Sequence, residues 1–332
     1  MSQSRDEAIL HGPRALVPYL LALTAIVLWG ISFVATKAAL AELAPIPLVV
    51  ARFALGLALL LVIAVVRRPR PLPTIRDLPE LAVLGFFGIF VHQMLQANAL
   101  RFTSAVNSGW LVGLTPLWSA LLAVTFLRER LTRWQVTGLL LGFVGALLVI
   151  TRGRFETGWT ALPSTRGDLL MLASSFNWSL CTILGRRALA RHGALVTTIG
   201  SMLAGFVLLV PFFVADYGFS AFRGLSPGTW TAVLFLGFGC SGVAYLFWFD
   251  ALERLDASRV SAFLYIEPLV TLVAAAALLG EPIRAITVAG GLILLFGVGL
   301  VQRATAKARE KTGPALMSGK RLPVNDPTAG TD

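Results

Sequence analysis

Residues 99–150 read ALRFTSAVNSGWLVGLTPLWSALLAVTFLRERLTRWQVTGLLLGFVGALLVI, and much of this pattern returns 152 positions later in the same chain. The returning residues are Ala99, Leu100, Pro116, Glu129 and Gly138, which recur as Ala251, Leu252, Pro268, Glu281 and Gly290. At an offset of 149, Trp29 and Lys37 match Trp178 and Arg186, so the repeat spans nearly the whole chain. A repeat of this length predicts two homologous halves.

The composition excludes a duplicated soluble domain. Hydrophobic residues make up 56% of the chain and charged residues 14%, with a mean hydropathy of +0.78. An ordinary soluble domain has about 45–50% apolar and about 25% charged residues. The chain is therefore predicted to be embedded in a membrane.

Apolar runs of about twenty residues can cross about 30 Å of hydrocarbon as helices. In the first half they lie at 15–37, 45–66, 81–100, 104–126 and 133–151. In the second half they lie at 167–187, 194–214, 229–249, 257–279 and 284–302. We therefore predict an all-α integral membrane protein with ten transmembrane helices. Because five is odd, the second half would enter the bilayer from the opposite side, which predicts two inverted five-helix repeats.

The basic residues predict the orientation. Segments on the inner side of this topology carry 19 Lys and Arg residues and those on the outer side carry 7, so both termini are expected in the cytoplasm. Arg152, Arg154 and Arg166 in the central outer loop are local exceptions. The abundance of Arg and Ala beside few Lys favours a GC-rich bacterial genome, and hence the bacterial inner membrane. The predicted organisation is an N-terminal tail at 1–14, repeats at 15–151 and 167–302, an outer connecting loop at 152–166, and a basic, disordered tail at 303–332.

The net charge of +11 does not predict a nucleic-acid partner, because the positive-inside bias accounts for the excess. Membrane lipid is the expected partner of the basic tail. Cys181 and Cys240 lie in apolar runs of different halves without the spacing of a metal or redox motif, and no cofactor is predicted.

Residues 99–150 and their echo YLFWFDALERLDASRVSAFLYIEPLVTLVAAAALLGEPIRAITVAGGLILLFGVGL resemble the repeat unit of the EamA family in the drug/metabolite transporter superfamily. Both carry an Ala-Leu pair, a small-residue helix entry, a mid-helix Pro, a following Glu and a Gly-rich last helix. The resemblance covers roughly residues 15–302 and implies ten helices and secondary transport, commonly export of amino acids or related metabolites. It does not imply a substrate. One departure is Arg128 before Glu129, where the second half has Gly280 before Glu281.

In inverted-repeat transporters the site lies near mid-bilayer where the halves meet, so equivalent positions are expected to face each other. Gln93 and Gln96 share a helix face, and their mates at +152 are Tyr245 and Trp248. Polar groups in lipid usually face the bundle interior, so this face is the first candidate for a cavity wall. The alternative is that the glutamines bond neighbouring helices while the aromatics pack.

Trp29 and Trp178 form a second matched pair that is a candidate for substrate binding. Ser32 and Asn177 are polar residues close to them in sequence. His92 adjoins Gln93 and can titrate near neutral pH. Its alternative is a histidine hydrogen-bonded inside the bundle.

Arg52 and Glu267 are ionisable residues inside predicted helices, which makes them candidates for function. Arg52 could meet a substrate carboxylate, and Glu267 could meet an ammonium group or carry a coupling proton. Together they would suit a zwitterion such as an amino acid. The alternative is a structural role for both. Arg259 is expected to extend its charged end to the interface.

Other repeated residues are predicted to be structural. Glu129 and Glu281 are expected to cap the helices that follow them. Pro116 and Pro268 are expected to break or bend their helices. Small residues allow close helix approach, which predicts packing or a homodimer at the Gly-rich helices that contain Gly138, Gly142, Gly290, Gly291, Gly297 and Gly299.

The sequence thus predicts a secondary transporter that exports a small metabolite such as an amino acid. An exporter of hydrophobic drugs or organic cations is the nearest alternative, followed by an intramembrane enzyme or a receptor without flux. The chain has no Walker A pattern, so direct ATP drive is not predicted. It has no HExxH or GxSxG pattern either, and no enzymatic activity is predicted.

Overall fold

The structure, a computed structural model, describes residues 13–69, 72–127, 131–152, 165–255, 260 and 263–312. All of the regular secondary structure in these residues is helical. The α-helices are α1 Pro13–Ala39, α2 Pro45–Arg67, α3 Leu78–Gly85, α4 His92–Leu100, α5 Ala105–Val112, α6 Thr115–Leu127, α7 Arg133–Thr151, α8 Thr165–Leu184, α9 Arg186–Asp216, α10 Pro227–Leu234, α11 Ala244–Arg254, α12 Glu267–Leu279 and α13 Ala285–Thr312. Short 3-10 turns lie at Ile75–Asp77, Phe219–Phe222 and Phe263–Tyr265.

Within the described residues, seven helices are long and apolar enough to cross a membrane. The chain is therefore a multi-pass membrane protein. Nine of the ten predicted apolar runs, and the described residues of the tenth at 257–279, are mostly helical, although the runs at 104–126 and 257–279 are broken into shorter pieces.

Both breaks occur at the matched prolines, as predicted. α5 ends at Val112 and α6 begins at Thr115, with Pro116 in its first turn. In the other half the turn Phe263–Tyr265 is followed by α12, with Pro268 in its first turn. A proline has no N–H to donate, so the chain is favoured to start a helix there rather than to continue one.

Two π-helical segments, which the sequence pattern did not predict, continue α3 into α4 and α10 into α11. They are Phe86–Val91 and Phe235–Val243, and they end at equivalent repeat positions. Each ends two residues before a predicted cavity residue, Gln93 or Tyr245. π-segments are rare and frequently occur at functional sites.

The main packing contacts that helices of the first half make with the second half have counterparts that the equivalent helices of the second half make with the first. α1 packs on α11 and α12, and α8 packs in the corresponding way on α4, α5 and α6. α2 packs on the segment Phe235–Val243, as α9 packs on Phe86–Val91 and α3. α7 and α13 pack on each other. Neither half is therefore an independent bundle.

Glycines set the close contact between α7 and α13. A Cβ atom at Gly138 would lie 2.5 Å from the carbonyl oxygen of Gly297, and one at Gly145 would lie 2.5 Å from that of Gly290. Gly142 and Gly291 approach the side chains of Leu117 and Trp110, whereas a Cβ at Gly299 would meet open space. Most of the glycines thus serve packing within the chain, and a homodimer through these helices stays a prediction.

Two boundaries differ from the predicted ones. α13 continues to Thr312, so residues 303–312 are helical rather than disordered, because this stretch is rich in strong helix formers. α9 begins at Arg186, but Gly193 has a φ of 72° and interrupts its helical backbone close to the predicted boundary. The predictions for residues 1–12, 153–164 and 313–332 lie outside the described residues, as do those for Glu129 and Arg259.

Candidate functional site

A cavity lies between the halves. Its volume, counted as the space that the centres of water molecules can occupy, is about 100 Å³. Elements of both halves line it, including both broken helices. The lining residues are Trp29, Ser32, Phe33, Arg52, His92, Gln93, Gln96, Val112, Gly113, Thr115, Pro116, Trp178, Tyr245, Leu264, Tyr265, Glu267, Leu295 and Gln302. A site needs only about 10–15 Å³ on this measure to hold one water, so the cavity can hold several waters or a small organic molecule.

The structure brings nearly all of the predicted site residues to this one cavity. Trp29, Ser32, Gln93, Gln96, Trp178 and Tyr245 line it, together with the ionisable residues Arg52, His92 and Glu267. Two predicted residues, Asn177 and Trp248, do not.

Asn177 and Trp248 serve neighbouring structure instead. The amide nitrogen of Asn177 donates to the carbonyl of Phe87, 2.6 Å away in the first π-segment. The ring of Trp248 packs on that of Trp29, with centroids 5.3 Å apart. Asn177 therefore supports the backbone beside the cavity, while Trp248 lies behind one of its wall residues.

Arg52 is held in place by two side chains. It is 6% exposed, its Nε donates to the hydroxyl of Ser241 at 2.9 Å, and its Nη1 donates to Oε1 of Gln93 at 3.2 Å. These two hydrogen bonds hold the guanidinium in place. Both acceptors are neutral, so neither of them balances its positive charge. Gln93 thus both lines the cavity and positions Arg52.

Glu267 is 9% exposed and stands in the first turn of α12. Among the described residues, no hydrogen-bond donor or basic group lies within bonding distance of its carboxylate, and it forms no ion pair with Arg52. A buried carboxylate without a partner is costly. The cavity therefore contains a fixed cation and an unpaired carboxyl group that do not neutralise each other.

Aromatic rings form much of the wall. Trp29 donates its Nε1 to the carbonyl of Cys240 at 3.1 Å and meets the ring of Tyr245 edge-on at 5.4 Å. The ring of Trp178 lies 4.8 Å from that of His92. Nδ1 of His92 lies 3.2 Å from the carbonyl oxygen of Ser174 and 2.9 Å from its hydroxyl. These contacts correspond to the hydrogen-bonded alternative for His92.

Several lining residues were missed by the sequence analysis, and the repeat itself would have identified some of them. Val112, Gly113 and Thr115 have Leu264, Tyr265 and Glu267 as their mates at an offset of 152, and all six line the cavity. The phenolic oxygen of Tyr265 is buried and has no hydrogen-bond partner in the described part of the chain.

Lys37 and Glu281, at the outer end of the predicted topology, form an ion pair within the chain. Nζ of Lys37 lies 3.1 Å from Oε1 of Glu281. The carboxylate of Glu281 also accepts from the backbone N–H groups of Ala105 at 2.9 Å and Val106 at 3.0 Å, which caps the N-terminus of α5. The prediction that Glu281 caps the helix after it is wrong, because the loop between α12 and α13 carries it to the other half.

Two further carboxylates have partners within the chain. The carboxylate of Asp250 accepts hydrogen bonds from Nη1 and Nη2 of Arg67, at 2.7 and 3.0 Å. Asp168 is fully buried and accepts from the hydroxyl of Thr103 and, at 3.2 Å, from the amide of Asn107. The two aspartates lie in separate networks and do not form a carboxylate pair.

Comparison with known proteins gives consistent similarities. The model of the EamA-like transporter family matches residues 16–151 and again residues 165–303. The uncharacterized transporter YyaM of Bacillus subtilis (strain 168) is 34% identical over 248 residues, which are 74% of this chain and 81% of that protein. An uncharacterized transporter of Archaeoglobus fulgidus is 31% identical over 88% of this chain and 98% of its own length.

A third relative, from Streptantibioticus cattleyicolor, carries the name probable terminal-alkyne amino-acid exporter. It is 31% identical over 75% of this chain and 80% of its own length. A solved crystal structure with 23% identity superposes with a TM-score of 0.61 over 89% of this chain and 98% of the other. That likeness concerns the fold.

Proposed function

Because the chain belongs to the EamA-like transporter family, we propose that it is a secondary transporter that exports a small metabolite, such as an amino acid, by alternating access. It would act in the bacterial inner membrane with both termini in the cytoplasm. The observation that carries the proposal is the cavity between the halves, where Arg52 and Glu267 are both buried and do not pair.

We infer ten membrane passes in two inverted repeats, an architecture that suits this function. The exchange-symmetric packing of the halves supports a twofold relation between them. Five passes in each half would make the axis of that relation lie in the membrane plane. The halves could then rock around a fixed central site and expose it to each side in turn.

The charges in the cavity support a zwitterionic substrate. A carboxylate would be attracted to the guanidinium of Arg52, and an ammonium group would supply the counter-charge that Glu267 lacks. Thr115 adds the start of a half-helix, whose N–H groups and positive dipole end favour an anionic substrate group. The named amino-acid exporter among the relatives agrees with this substrate class.

A second candidate is the export of hydrophobic organic cations. Trp29, Trp178 and Tyr245 supply aromatic faces beside a carboxyl group without a partner. Aromatic rings and a carboxylate attract cations. Such a substrate would use Glu267 and leave the charge of Arg52 without a role in binding.

The test is counterflow by the purified protein in liposomes, with a panel of amino acids and lipophilic cations. Accumulation of a labelled amino acid supports the first candidate, and accumulation of a cation alone supports the second. Arg52→Gln separates them, since it should reduce amino-acid flux and spare cation flux. Binding without counterflow would indicate a receptor, and chemical conversion of the compound would indicate an enzyme; either result would contradict transport.

A further inference from the structure

A second concavity, which we call the arginine groove, lies away from the central cavity. It has a volume of about 380 Å³ and is open to the outside. The part of the groove near Phe90 is mostly apolar, and the end near Arg101 and Arg166 is basic. It is lined by Phe90, Val91, Met94, Leu95, Asn98, Arg101, Phe102, Arg166 and Leu170.

Two arginines converge at the basic end. The guanidinium of Arg166 lies 4.6 Å from the ring centroid of Phe102, and that of Arg101 lies 5.9 Å from the same centroid. Both side chains are exposed. Among the described residues, no carboxylate lies within ion-pair distance of either one. Two like charges are thus held over one ring without an anion.

The dimensions of the groove match one leaflet of a bilayer. Phe90 and Arg101 are eleven residues apart along nearly continuous helix, which is about 16 Å at a rise of about 1.5 Å per residue. Half of the hydrocarbon core is about 15 Å thick. The apolar part would therefore lie within the hydrocarbon and the arginines at the headgroup level.

We propose that the arginine groove binds an anionic phospholipid of the surrounding leaflet. Its phosphate lies between Arg101 and Arg166, and an acyl chain lies along Met94, Leu95 and Leu170. A net negative headgroup supplies the charge that the groove lacks, whereas a zwitterionic headgroup brings its own cation. The proposal also gives Arg166 a role that the positive-inside bias left unexplained.

The test compares bound lipid in the purified full-length protein by native mass spectrometry. The protein is equilibrated with equal amounts of phosphatidylglycerol and phosphatidylcholine in detergent. We expect enrichment of phosphatidylglycerol in the wild type. The double variant Arg101→Gln/Arg166→Gln should lose roughly 30-fold in that enrichment, since each basic residue near a membrane surface attracts anionic lipid by about 1 kcal/mol.

The matched control is Arg223→Gln/Arg284→Gln, which removes the same charge from two exposed arginines outside the groove and should keep the enrichment. Leu95→Trp keeps both charges but fills the apolar part, and it should also lose bound lipid. This second variant keeps the test decisive if the first does not fold. Equal occupancy of both lipids in the wild type, or an equal loss in groove and control variants, would overturn the proposal. Displacement of the lipid by glycerol phosphate alone at similar concentration would show a phosphate-ester site and would overturn it as well.

Discussion

The carboxylates at the ends of the helices and the carboxyl group in the cavity have opposite environments. Glu281 accepts hydrogen bonds from two backbone N–H groups and pairs with the ammonium of Lys37. Asp250 accepts hydrogen bonds from Nη1 and Nη2 of Arg67. Glu267, in the first turn of α12, has no hydrogen-bond donor or basic partner for its carboxyl group in the described structure. In the described residues, Glu281 and Asp250 are thus paired across helices, whereas Glu267 is not. The predictions below test whether this division corresponds to stability and transport.

The largest expected effect is on stability at the outer end. Glu281→Ala removes an ion pair and two hydrogen bonds to the first turn of α5. We expect a loss of about 2–4 kcal/mol in unfolding free energy, because a hydrogen bond to a charged group contributes about 1.5–3 kcal/mol. Thermal unfolding in detergent measures it. Glu80→Ala, at a more exposed carboxylate, is the control, and an equal fall in melting temperature for both would contradict the capping role.

The second effect is on transport. Glu267→Gln keeps the shape of the side chain, but its amide cannot carry a negative charge in the cavity. If an ammonium group binds there, flux at low substrate concentration should fall roughly 10- to 100-fold, again from about 1.5–3 kcal/mol for a charge-assisted bond. The melting temperature should stay equal or rise, because the buried carboxyl group stabilises nothing in the empty protein.

These two variants separate the roles. Full flux in Glu267→Gln would remove the residue from the site. A large fall in its melting temperature together with lost flux would instead indicate a structural role, and the contrast with Glu281 would disappear.

A smaller effect is expected at the aromatic wall. Trp178→Leu removes one ring face from the cavity without changing its charges. We expect KM to rise roughly 2- to 10-fold, since an aromatic contact contributes about 0.5–1.5 kcal/mol beyond buried area. Trp230→Leu is the matched control, because Trp230 contacts Phe222 and does not line the cavity. Equal KM values in both variants would contradict a wall role for Trp178.

The sequence predicted the parts of this site that the repeat marks. Gln93, Tyr245, Trp29 and Trp178 were found because equivalent residues of two related halves meet at their interface. The sequence did not predict the π-segments, because a change of the backbone hydrogen bonds from i→i+4 to i→i+5 over one or two turns does not alter the spacing of the apolar residues enough to be recognised. The contact of Asn177 could not be predicted for the same reason, because its partner is a carbonyl within the first π-segment, and its role in binding stays a prediction.

Long-range pairing also escaped the sequence. A capping carboxylate is recognised from its position before a helix, and this rule placed Glu281 on the next helix in the chain. The structure brings it to α5, 176 residues away in sequence from Ala105. Local spacing contains no information about that contact, because it depends on how the two halves dock.

The smallest expected effect is a pH dependence at Glu42, an exposed carboxylate between α1 and α2. It accepts from the hydroxyl of Ser226 at 2.5 Å and from its backbone N–H at 2.8 Å. The Ser226 hydroxyl, then its N–H, then the hydroxyl of Thr229 lower the pKa of Glu42 below its ordinary value of 4.5.

Because the folded-state pKa of Glu42 is the lower one, its stabilisation is present above pH 4.5 and is lost as the pH falls through the folded value. The difference in melting temperature between wild type and Glu42→Gln should be constant near neutral pH and shrink on the acid side of 4.5. An increase toward acid would contradict the sign. Since Ser226 belongs to the second half, this titration reports on a contact between the halves at the outer end. In a population with that end open, the difference should vanish at every pH, which makes Glu42 a test of which state the protein occupies without substrate.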